Sequence, residues 1–134
     1  MPDPFRFVAV GRAVRSLLPH RVLRHTLSYV SERIEWSEEA ARHIGSRSAR
    51  YPNAADVVPA WTAEVVNDPD RLVDEPDPKS AHANSVRIVG YSPTARMVIT
   101  VVALRDAHGV LRGATAWKTR GAALRQYLED GSDG

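Results

Sequence analysis

The chain has 134 residues, 43% of them hydrophobic and 25% charged, with no cysteine. That is about the size of one ordinary domain with a real core, and the composition excludes the polar, aromatic-poor signature of disorder. The missing cysteines exclude a disulfide framework, a thiolate zinc site and a cysteine nucleophile, and they fit a reducing compartment.

The formal net charge is +2, but it is unevenly distributed. Residues 1–33 carry six arginines (Arg6, Arg12, Arg15, Arg21, Arg24 and Arg33) against Asp3 and Glu32, a local excess of +4 that leaves −2 for the remainder. A basic segment of this kind suits anionic partners. No apolar run approaches the roughly 20 residues needed to cross a bilayer, and the first residues lack a signal-peptide pattern. A cytoplasmic location without membrane contact is expected.

In chain order, Val10, Val14, Leu17, Leu18, Leu23, Leu27 and Val30 fall at helical spacing, and Pro19 divides the stretch into two short helices. Arg12, Arg15, Arg21 and Arg24, with His20 and His25, make the polar side. Residues 1–33 thus read as a basic helical extension. RIEW follows as a short strand. SEEAARHI reads as a helix capped by Ser37, with Glu38 and Glu39 in its first turn and Gly45 as its stop.

Asn53 is a candidate cap for a second helix over 54–66, with Val57, Val58, Trp61 and Val65 inward, although Pro59 is tolerated only near a first turn. NDPD at 67–70 ends it. After RLVD and an acidic loop through Glu75, Pro76, Asp77 and Pro78, three β-rich segments follow: 85–91, 97–105 and 110–118. Their short connections, SPTA and DAHG, predict an antiparallel meander. A helix over 120–130 and a polar tail at 131–134 close the chain. The expected class is α+β, with helices packed on a small meander and a C-terminal helix.

Metal-ligand spacing is absent among His20, His25, His43, His82 and His108, so no metal is expected. The glycine-rich phosphate loops and the acyl-transfer serine elbow are absent too, and no cofactor is expected. What remains is a set of cations: Arg87, Arg105, Arg112, Lys118, Arg120 and Arg125. Guanidinium forks grip phosphate oxygens and stabilise charge in phosphoryl transfer, and Arg105 ends the longest hydrophobic strand. Individually, such cations are more often solvated surface charges. His43 has the chemistry of a general acid or base, though a histidine near a helix end more often caps or packs. Trp36 and Trp61 read as core. Trp117, beside Lys118, is either packed or free to stack on a base. Tyr127 lies on the inward face of the last helix.

Three strings carry a resemblance: IEWSEEAARHIGSRS, VRIVGYSPTARMVITVVALRD and GATAWKTRGAALRQYLE. In order and spacing they resemble the BrnT family, toxins of bacterial type II toxin–antitoxin pairs with a RelE-like fold, over residues 34–129. Where that family usually reads Ser-Ala-Arg, this chain has Thr115, Ala116, Trp117 and Lys118, and its last helix is less charged. The resemblance implies a metal-independent endoribonuclease that cleaves mRNA, on or off the ribosome, by attack of the RNA's own 2′-hydroxyl. It implies phosphate contact from Arg105 and Lys118, proton transfer by His43 or Tyr127, and further RNA contacts from Arg87, Arg112, Arg120 and Arg125. A cognate antitoxin, in a heterotetramer with the toxin, is the implied partner. Two other readings stand beside it: a non-catalytic interaction protein of the RelE/ParE fold, and a nucleic-acid-binding module that uses the basic N-terminal helices.

Overall fold

The computed structural model describes residues 31–133, so the expected N-terminal helices at 10–30 lie outside the described residues. The described chain is α+β. β1 (Ile34–Glu35) leads into α1 (Glu38–Ile44), a 3-10 turn (Arg47–Ala49) and α2 (Pro59–Val66). β2 (Leu72–Asp74), β3 (Ser85–Ser92), β4 (Met97–Arg105), β5 (Leu111–Lys118) and α3 (Gly121–Asp133) follow.

The three long strands form the antiparallel meander that their β-branched runs and short turns predict. The sheet is larger than the meander, with order β1-β5-β4-β3-β2. The RLVD segment is the antiparallel edge strand β2, and β1 adds to β5 in parallel, so the sheet is mixed.

α1 starts where the sequence places it, with Ser37 Oγ accepting from Ala40 N at 3.1 Å. α2 starts later than expected. Asn53 sits at φ +65° in a turn rather than at a helix cap, and the helix begins at Pro59, whose fixed φ and missing N–H cost nothing in the first turn. The last helix extends beyond its expected end, through Asp133.

Side chains alternate across the strands, so the sheet has two faces. On one, Val86, Ile88, Ile99, Val101, Ala103, Leu111 and Ala116 pack under Ile44 of α1 and Val65 and Val66 of α2 to form the main core. On the other, Tyr127 and Leu124 of α3 cover Val89, Val98 and Leu72.

Two glycines permit close approaches. A Cβ at Gly90 would stand 2.6 Å from the Val65 carbonyl oxygen, and one at Gly113 would stand 2.4 Å from the Trp36 indole. The indole lies flat against Gly113 while its Nε1 donates to Thr62 Oγ1 at 2.8 Å. A register shift in the β4–β5 pairing at Val102/Ala103 brings Gly113 opposite Ala103.

A candidate nucleic-acid groove beside Trp117

The loop that leaves α1 folds back toward the end of β5. Asp56 fastens it, accepting from Ser48 N at 2.8 Å and Ser48 Oγ at 3.0 Å, and these bonds hold the Asp56 carboxyl below its ordinary range. Arg50 donates to the His43 carbonyl at 2.7 Å and to Ser46 Oγ at 2.9 Å. Across the gap, Arg120 donates to the Asn53 carbonyl at 2.7 Å and joins the loop to the chain just past β5. β5 itself holds Trp117 and Lys118 in register with Thr100 and Ile99.

Between these walls lies an open groove of about 240 Å³, lined by Arg47, Tyr51, Pro52, Ala54, Ala55, Trp117, Lys118 and Arg120. The Arg47 guanidinium carbon lies 5.0 Å from the Tyr51 ring centre and 6.0 Å from that of Trp117, while Arg50 lies 5.8 Å from Tyr51. These separations are within cation–π reach. Tyr51 is half exposed.

The cations of the domain divide by location. Arg87 faces Asp74 and Asp77 at 3.7 and 3.9 Å, and Arg112 is paired with Glu35 and with Asp106, the latter at 2.9 Å. Asp106, then Glu35, raise the Arg112 pKa. Arg105 uses all five of its N–H donors: two reach Glu75 at 2.8 and 3.2 Å, two reach Glu32 at 3.1 and 3.2 Å, and one reaches the Gly109 carbonyl at 2.9 Å. Burial opposes its charge, yet its bonds to Glu75 and Glu32 hold its pKa above the ordinary arginine value. Among the described residues, Arg47, Lys118 and Arg120 have no carboxylate within ion-pair distance. The groove therefore gathers three cations without such a partner; Arg50, Lys79, Arg96 and Arg125 also have none within ion-pair distance among the described residues but lie outside the groove lining.

This arrangement redistributes the expected site residues. Arg105 pairs in register with Leu111 and Lys118 with Ile99, six residues apart along β4, which is about 20 Å at strand rise. The two do not clamp one phosphate, and Arg105 is a rivet between Glu32, Glu75 and the β4–β5 turn. Tyr127 is buried, and its hydroxyl donates to Asp68 Oδ2 at 2.5 Å, away from any open surface. Arg87 and Arg112 are engaged with carboxylates, and Arg125 is exposed on α3. His43 is exposed in the last turn of α1 and is not among the residues that line the groove. Lys118 and Arg120 are the two expected residues that the fold brings together.

Arg47 and Tyr51, which complete the groove, were not expected. Their only signal in the sequence is the alternation of cation and aromatic in SRSARYP, between Gly45 and Asn53. Among the described residues, no cluster of His, Asp or Glu suits a metal ion, and no helix is long and apolar enough to cross a membrane. Comparison with family models, with curated proteins and with solved structures finds no match for the chain.

Proposed function

We propose that this protein grips single-stranded RNA in the groove beside Trp117, as the toxin of a type II toxin–antitoxin pair that cleaves mRNA without a metal ion. One observation carries the RNA reading: three cations with no carboxylate partner among the described residues, Arg47, Lys118 and Arg120, stand around two accessible aromatic rings, Tyr51 and Trp117. Cations that track a phosphate backbone, with rings on which bases stack, are what single-strand binding requires. The resemblance of residues 34–129 to BrnT toxins supplies the reaction and the RelE-like fold.

In that reaction the 2′-hydroxyl attacks the adjacent phosphorus, the bond to the 5′-oxygen breaks, and a 2′,3′-cyclic phosphate forms. Lys118 and Arg120 would neutralise charge on the phosphate as it becomes pentacovalent. His43, in the last turn of α1 and outside the groove lining, is the candidate to receive the 2′-hydroxyl proton and to return it to the departing 5′-oxygen. Arg105 contributes through the fold and not by contact with RNA. The antitoxin would cover the same cationic surface, in a cytoplasmic heterotetramer.

A second reading is favoured by one observation. The groove lining contains no histidine and no carboxylate, so the groove could hold RNA without cutting it. Induced expression in a bacterial host of the wild type beside Lys118→Ala/Arg120→Ala separates the two. Growth arrest with cleaved mRNA ending in 2′,3′-cyclic phosphate, relieved in the double variant, supports the toxin. Normal growth with intact mRNA at good soluble expression, while purified protein still binds RNA, leaves the binding protein.

A further inference from the structure

Arg47 has an unusual position in the groove: one guanidinium lies within cation–π reach of two rings, 5.0 Å from Tyr51 and 6.0 Å from Trp117. A guanidinium is flat and delocalised, and it stacks on an indole as a nucleobase does. Tyr51 and Trp117 come from different parts of the chain, the loop after α1 and the end of β5, and the bond from Arg120 to the Asn53 carbonyl ties those parts together.

We infer that the space between Tyr51 and Trp117 is a nucleobase subsite, in which a base stacks on the Trp117 indole in the place of the Arg47 guanidinium and its flanking phosphates fall to Lys118 and Arg120. The inference rests on the RNA reading above and deepens it, by assigning the aromatic pair to the base and the cations to the backbone. Once displaced from the ring, Arg47 is a third cation for the phosphates, so entry of a base exchanges one planar partner for another and releases charge toward the ligand. Two consequences follow. The subsite selects unpaired bases, because a duplex hides its base faces in its own stack. It does not read the sugar, so single-stranded DNA of the same sequence binds nearly as well as RNA.

The second consequence supplies a probe that a 2′-hydroxyl reaction cannot destroy. Binding of a fluorescein-labelled single-stranded DNA octamer to the full chain, followed by anisotropy over a series of salt concentrations, tests the assignment. Trp117→Ala is expected to weaken binding by roughly tenfold or more at every salt concentration with an unchanged salt slope, since a lost stack removes no counterion release. Trp117→Phe, which keeps a ring and guards against a folding defect, retains most of the affinity. Lys118→Ala instead lowers the salt slope by about 0.7, the value for one phosphate of a single strand. An octamer of abasic sites binds the wild type as weakly as the normal octamer binds Trp117→Ala.

Equal affinity of Trp117→Ala and the wild type, or of the abasic and normal octamers, overturns the subsite. The RNA reading survives that result if mRNA is still cut. Dependence on Trp117 without any RNA cleavage keeps the subsite and removes the ribonuclease. No binding at low salt of either the DNA octamer or RNA of the same sequence, with mRNA left intact, removes both.

Discussion

Tyr127 and Asp68, 59 positions apart, are joined by a buried hydrogen bond of 2.5 Å from the phenol to Oδ2. The same oxygen accepts from Tyr91 N at 2.7 Å, and Oδ1 accepts from Asp70 N at 2.8 Å, so one carboxylate fastens α3, β3 and the turn after α2 to one another. Tyr127→Phe removes a donor from a buried acceptor and keeps the ring, which should cost about 1–2 kcal/mol. Urea denaturation should show the loss, while oligonucleotide binding stays at the wild-type level. A variant of unchanged stability that no longer cuts RNA would instead make Tyr127 a chemical participant.

Arg105 makes a similar prediction with more at stake. Four of its five donors hold Glu32 and Glu75, whose side chains are 20% and 26% exposed, and Arg105→Ala removes the Arg105 cation from both partly buried carboxylates. The expected loss is about 2–3 kcal/mol, below the range for a fully buried pair because water reaches this one. Arg105→Lys should recover little, since three donors on one nitrogen cannot reproduce a fork that spans two carboxylates. Adding Glu75→Gln to Arg105→Ala should restore part of the stability. Simple additivity of the two changes would mean that the pair is not coupled.

The division between what was legible and what was not follows the range of the interactions. The meander is readable because β-branched runs and four-residue turns are local signals, and α1 because Ser37 caps it within three residues. The start of α2 is not legible at Asn53, which has the composition of a cap but the conformation of a turn, and only Pro59 marks the true first turn. β1 and β2, of two and three residues, exist as strands through their partners β5 and β3. The site divides in the same way. Trp117 beside Lys118 could be read as a stacking ring beside a cation. That Arg105 is consumed by Glu32, 73 residues away, could not, and neither could the return of Arg47 and Tyr51 to the end of β5.

Gly90 and Gly113 should respond differently to alanine. At Gly90 the new methyl would meet the Val65 carbonyl of α2, which is backbone, so the helix itself must move. Overpacking of this kind costs about 1–3 kcal/mol. At Gly113 the obstacle is the Trp36 side chain, which can swing away at the expense of its bond to Thr62. Gly113→Ala in a Trp36→Leu background should therefore be nearly neutral, whereas no single side-chain truncation on α2 should rescue Gly90→Ala. Thermal melts of the four variants check this, and a full penalty for Gly113→Ala in the Trp36→Leu background would remove the indole as its cause.

Glu64 gives the acid limb of stability a specific origin. Its Oε1 accepts from Ser92 Oγ at 2.6 Å and Thr94 N at 3.1 Å, and its Oε2 accepts from Thr94 Oγ1 at 2.6 Å, tying α2 to the β3–β4 turn. The bond from Ser92, then those from Thr94, hold the carboxyl below the ordinary glutamate range. A carboxyl whose pKa is lower folded than unfolded binds more protons unfolded, so acid favours unfolding. The stabilisation is complete above the unfolded value near pH 4.3 and is lost as pH falls through the lower folded value. Glu64→Gln should accordingly melt below the wild type at pH 7, and the gap should close as the pH is lowered toward 3. Asp56 and Asp106, also held below their ordinary range, titrate in both proteins and cancel in the difference. A gap between the two melting temperatures that stays constant from pH 7 to pH 3 would mean that Glu64 acts through shape alone.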